Sequence, residues 1–125
     1  MSERESQIEV FEVLALNEAK YPQLAWVYAS MNGLFTKSPR MAMDRKRQGQ
    51  KAGVSDICLP FQSAHKSYPG AYIEMKQKPN KPTSQQNEFL AFVELQGYAT
   101  CISYSADHAL DFIEVYIDGK LRGRK

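Results

Sequence analysis

Two short apolar runs with charges set into them constrain this chain more than anything else in it: GVSDICLP at 53–60 and YIEMKQK at 72–78. Each has the length and composition of a strand, and the intervening PFQSAHKSYPG carries Pro and Gly residues that mark a hairpin loop. Strands are therefore expected over 55–59 and 71–76. Period-2 alternation puts Ile73 and Met75 on one side of the second strand and Glu74 and Lys76 on the other. Antiparallel pairing can then bring Asp56 beside Glu74. Two carboxylates that close repel, and burying them costs several kcal/mol unless positive charge sits between them. A divalent cation removes that cost, and hard oxygen ligands suit Mg²⁺ or Mn²⁺. Lys76 is placed to orient a water or to stabilise charge developing on a phosphate.

Upstream, residues 5–19 read as a helix, with Ile8, Phe11, Leu14 and Ala15 at helical spacing, Val10 and Val13 widening the stripe, and Glu5, Glu9 and Glu12 on an acidic stripe that reaches solvent or lines a cleft. Pro22 opens a second helical stretch, PQLAWVYASM, which Asn32 and Gly33 should end. From 35 to 52 the chain turns polar and basic, and RMAMDRKRQGQ is expected to form a short surface helix closed by Gly49. QKPNKP at 77–82 is neither helix nor inner strand. Thr83 should cap a helix over 84–96 that Gly97 stops, YATCISY is a further strand, and SADHALDFIEVYI is a last helix capped by Ser105 with Leu110, Ile113 and Ile117 facing inward. The order predicts one small mixed α/β domain spanning 1–125, with three or four strands flanked by helices.

Composition narrows the function classes. At 125 residues, 43% hydrophobic and 24% charged, the chain can bury a core in one domain. The charged start MSERESQIEV is unlike a leader peptide, and no run approaches the ~20 apolar residues of a membrane span, so a cytoplasmic protein is expected. Cys58 and Cys101 sit in apolar runs without metal-ligand spacing and read as small hydrophobes; Trp26 and the aromatics from Tyr98 to Tyr104 read as core. Neither His65 nor His108 has a partner at catalytic spacing. Net charge is only +2, but DRKRQGQK at 44–51 and GKLRGRK at 119–125 hold eight of the 16 Lys and Arg residues, a pattern open to phosphate binding or to a solvated loop and a frayed tail.

The segment GVSDICLP…GAYIEMKQKPNKPTSQQNEFLAFVELQGY closely resembles the virus-type replication-repair nuclease (VRR-NUC) family, a branch of the PD-(D/E)xK nuclease superfamily. The family pattern of a Gly-x-x-Asp strand, an apolar-Glu-x-Lys strand and a Ser/Thr-x-x-Gln helix start is matched by Gly53 to Asp56, Ile73 to Lys76 and Thr83 to Gln86. SADHALDFIEVYI looks like its closing helix, and LNEAKYP and MNG look like upstream segments of short stand-alone phage and bacterial members. Ser55 stands where the family usually has Pro.

The resemblance implies a restriction-endonuclease-like core and a Mg²⁺- or Mn²⁺-dependent DNA endonuclease. It makes Asp56 and Glu74 metal ligands with the Met75 carbonyl as a further one, Lys76 the catalytic lysine, and Gln86, rather than the adjacent Gln85, a polar group contacting the site. It also implies a carboxylate from the first helix, Glu5 ahead of Glu9. Arg40, Arg45, Lys46, Arg47, Lys51, Lys78 and Lys81 are the candidates for holding DNA. Stand-alone members look like homodimers acting on branched DNA such as four-way junctions, without an organic cofactor or a membrane. A structured-DNA-binding module that does not cut is the alternative.

Overall fold

The computed structural model describes residues 1–30 and 38–125. Asn32 and Gly33, expected to end a helix, lie outside the described residues.

The first helix, α1 (Glu3–Leu16), begins two residues earlier than its apolar pattern suggests, because the Ser2 hydroxyl accepts the Glu5 amide at 3.1 Å and caps it. Its buried face is Ser6, Val10, Val13 and Leu14. Of the expected face, Leu14 is buried and Phe11 packs on the core, but Ile8 and Ala15 are exposed, Ile8 by 41%. A helix apolar nearly all round offers two overlapping stripes, and period alone does not choose between them.

The stretch expected to be a second helix splits. A 3₁₀ turn (Pro22–Trp26) gives way to extended backbone at Val27 and then to β1 (Tyr28–Ala29), which pairs antiparallel with β2 (Ile57–Leu59). The β-branched and aromatic residues Val27 and Tyr28 favour that strand over a helix. Trp26 therefore does not reach the core; it is 74% exposed.

The strands β2 and β3 (Ala71–Met75) form the anticipated antiparallel pair, Ile57 opposite Ile73 and Leu59 opposite Ala71. The chain returns through α3 (Ser84–Leu95) to β4 (Ala99–Ser103), parallel to β3, and ends in α4 (Ala106–Ile117). The result is a four-stranded mixed sheet in the order β1-β2-β3-β4. Between β1 and β2 lies the surface helix α2 (Pro39–Arg47), capped by Ser38 and followed by Gly49 in the left-handed region, as its sequence suggests.

Alternation sorts the sheet's side chains. Ile57, Leu59, Ala71, Ile73 and Met75 are buried with Val10, Val13 and Leu14 of α1 and Ala109, Leu110, Ile113 and Ile117 of α4 in one cluster. Over the other face lies α3, where Phe89 meets Tyr72 edge-on at 5.0 Å. Cys58 is buried and Cys101 half-buried, both unbridged, and burial pushes the Cys101 thiol up to about 11, as for a small hydrophobe. Among the described residues no helix is long and apolar enough to cross a membrane.

The basic C-terminal segment is neither frayed nor free. Leu121 is buried. The Asn17 amide donates to the Arg122 carbonyl and accepts the Arg122 amide, both at 3.0 Å. Arg124 meets Asp107, Asp111 and Glu114 of α4.

Candidate active site

Glu74 is the penultimate residue of β3. Since Ile73 and Met75 enter the core, the pleat turns Glu74 to the opposite face, where it is only 1% exposed. Asp56 directly precedes β2, and the Ile57–Ile73 register sets it beside Glu74 as expected. Two bonds fix it: Asp56 Oδ2 accepts the Met75 amide at 2.7 Å, and its carbonyl accepts the Ser30 amide of the β1 edge at 2.7 Å.

The third element is the start of α3. Thr83 and Gln86 form a reciprocal capping box: Thr83 Oγ1 accepts the Gln86 amide at 3.2 Å and Gln86 Oε1 accepts the Thr83 amide at 2.8 Å. That leaves Gln86 Nε2 to donate to Glu74 Oε2 at 3.1 Å. Gln85 makes no such bond, but its carbonyl lies against Gly53. At φ +88°, a Cβ on Gly53 would stand 2.6 Å from that oxygen. The glycine of Gly-x-x-Asp is therefore required both by its backbone angle and by close packing of the loop on α3.

The electrostatics of Glu74 follow from its burial beside Asp56. Loss of water, then the hydrogen bond and charge of Asp56, push the Glu74 carboxyl up to about 9, with a smaller contribution from Glu3; Lys76 acts in the opposite sense. Glu74 Oε1 is buried without a hydrogen-bond partner. A buried carboxylate oxygen without a partner, beside a second carboxylate, is a donor set suited to a hard cation. Among the described residues no three His, Cys, Asp or Glu side chains converge at ligating distance. A cation held here would be completed by backbone carbonyl, as expected of Met75, and by water.

Glu74 and Asp56 open onto a cleft of about 420 Å³. Arg45, Lys46 and Lys51 line it, along with Gln86 and Glu3. Glu5 does not; it is exposed, and Glu9 instead lies 4.0 Å from Lys125. The Ser2 cap explains the difference: starting the helix at Glu3 turns that residue about 200° away from Glu5, toward the cleft. Sequence reasoning missed Glu3, and Ser2 was the available signal.

Lys76 follows β3, donating its amide to the Ser103 carbonyl at 2.8 Å. Its side chain does not line the cleft, yet its charge reaches Glu74. Arg40 and Arg47 occupy the other side of α2. Lys78 sits over the Tyr104 ring, 5.9 Å from its centre, and Lys81 is exposed; neither lines the cleft. His65 pairs with Asp118 at 3.4 Å, also outside it.

Neither a protein-family model nor a curated protein matches the chain. Among solved structures, a "VRR_NUC domain protein" is similar over 94% of this chain and 89% of its own, with a TM-score of 0.72 at 24% identity. The mixed sheet and the order of elements thus agree with a known architecture: this chain has the VRR_NUC fold.

Proposed function

We propose that this protein is a divalent-cation-dependent DNA endonuclease that hydrolyses phosphodiester bonds at branched structures such as four-way junctions or flaps. The observation that carries the reading is buried Glu74, its Oε1 unpartnered, beside the half-buried Asp56 with basic residues around the same cleft. The similar structure's name, VRR_NUC domain protein, fits it.

In this reading Asp56, Glu74 and the Met75 carbonyl would hold Mg²⁺ or Mn²⁺, with Glu3, the first-helix carboxylate that lines the cleft, contributing charge rather than a third carboxylate ligand. The cation supplies Lewis acidity and a water made nucleophilic near neutral pH. Gln86 fixes the orientation of Glu74 through Oε2, which would leave the unpartnered Oε1 free to serve as a ligand. Lys76 stabilises negative charge that develops on the phosphate, and its ammonium keeps Glu74 from being still more basic. Arg45, Lys46 and Lys51 bind the phosphates on either side of the scissile bond, with Arg40, Arg47, Lys78 and Lys81 further along the backbone.

Two opposed strands at a junction call for two such sites, which a two-fold homodimer provides. Light scattering should find a dimer at working concentration; a monomer counts against paired cutting.

The test is incubation with linear, flapped and four-way-junction DNA in Mn²⁺ or in EDTA. Nicking in Mn²⁺ that EDTA abolishes is expected. Tight junction binding without nicking in either condition would replace the enzyme with a binding module.

A further inference from the structure

α2 is a helix without a core. None of its residues is buried, and two methionines stand in the open, Met41 at 49% and Met43 at 65% exposure. Its sides differ. Ala42, Arg45 and Lys46, spaced i, i+3, i+4, line the cleft that contains Asp56 and Glu74. Arg40, Met43, Asp44 and Arg47, spaced i, i+3, i+4, i+7, line a second hollow on the outward side, which Arg45 borders as well. Asp44, the helix's one acid, accepts Gln48 Nε2 at 2.7 Å. The outward side therefore carries Met43 and the Gln48-bonded Asp44 between two cations, with Arg40 and Arg47 about 10 Å apart along the axis.

That pattern matches a duplex seen across its minor groove, where two phosphate backbones flank a gap ~6 Å wide lined by base edges. A second copy of this chain fits poorly, because two-fold pairing of α2 would set its cations against each other. Continuity with the cleft favours nucleic acid: DNA seated at Asp56 and Glu74 runs past Arg45 and Lys46 onto the same helix.

We propose that α2 is a wedge helix, with Arg40 and Arg47 holding phosphates and Met43 entering a base step between them, so that DNA whose stacking is already broken at a branch is preferred. This rests on the nuclease reading and gives it a source of structure selectivity. An unbranched, polarizable thioether adapts to an irregular gap. Entering an intact step requires unstacking it, and a branch point has lost that stacking beforehand.

The experiment is fluorescence anisotropy in EDTA with a four-way junction and a linear duplex, the junction carrying 2-aminopurine at its branch. Because α2 buries nothing, Met43→Ala should keep its circular dichroism and its affinity for linear duplex. Its preference for the junction should fall about fivefold, which is ~1 kcal/mol. The 2-aminopurine signal given by the wild type and by Met43→Leu should be lost. Arg40→Ala and Arg47→Ala should weaken both DNAs and each reduce the salt slope by about 1. Met43→Ala with the preference and the signal intact overturns the wedge. So does equal wild-type affinity for both DNAs, or a Met43 effect confined to self-association or to phosphatidylserine vesicles. Wild-type protein that binds neither DNA overturns the nuclease reading itself.

Discussion

Gln86 uses the two ends of one amide on two structures at once: Nε2 donates to Glu74 Oε2 at 3.1 Å while Oε1 accepts the Thr83 amide at 2.8 Å. The start of α3 and the buried acid of β3 are thereby one unit. Thr83→Ala removes only the cap and should cost about 1 kcal/mol in urea denaturation. Gln86→Ala removes the cap's other half and the bond to Glu74, and should cost ~2 kcal/mol. Equal losses would mean that the contact with Glu74 contributes nothing to stability.

The raised Glu74 carboxyl predicts a stability that depends on pH in a definite direction. In the folded, cation-free protein it holds its proton up to about 9, whereas in the unfolded chain it releases it near 4.5. Between those values the folded state binds the extra proton, so this group's contribution is fully present below about pH 4.5 and is lost as pH rises toward 9. Thermal melts in EDTA from pH 5 to 9 should show the wild type losing stability relative to Glu74→Gln. A constant difference across that range would contradict the burial argument. Adding Mn²⁺ should raise the wild-type Tm most at high pH, where the carboxylate is free to bind it.

Two glycines with positive φ should respond differently. Gly53→Ala meets both an unfavourable backbone angle and the Gln85 carbonyl, whereas Gly49→Ala, at φ +102°, meets nothing within 4 Å. Gly49→Ala should cost about 1 kcal/mol from strain alone. Gly53→Ala should cost more, ~2 kcal/mol or above, and weaken Mn²⁺ binding by displacing the Asp56 loop. Equal denaturation midpoints for the two variants would show that the close packing at Gly53 is dispensable.

The two basic clusters should separate by assay. Arg124 is committed to Asp107, Asp111 and Glu114, and the tail is clasped by Asn17. Asn17→Ala should lower stability by ~1–3 kcal/mol, with little effect on DNA affinity. Lys46→Ala should do the reverse, weakening DNA binding in gel shifts with an unchanged melt. DNA affinity lost through Asn17→Ala without a stability change would reassign the tail.

Much of this was legible because local signals agreed with one another. Thr83 with Gln86, the Gly53 loop and the alternation at Ile73–Glu74–Met75 each announce an element and place its functional residue on a known side. β1 was missed because its two paired residues are too few for a period, and Pro22 read as the start of a longer helix. Glu3 was missed because the helix was expected to begin at residue 5, leaving Glu3 outside it, and the earlier start depends on one serine hydroxyl. The docked tail was hidden because its partners are far off in sequence: Asn17 and Arg122 meet only after α1 packs on α4.

The central proposal is that buried Glu74 with Asp56 and Lys76 makes this fold a cation-dependent nuclease. The most direct measurement is single-turnover cleavage of a four-way junction in Mn²⁺ by the wild type, Glu74→Ala and Lys76→Ala, each purified and confirmed folded by circular dichroism. The wild type should cut, and both variants should lose ~10²-fold or more in rate. Wild-type rates retained by either folded variant would contradict the account.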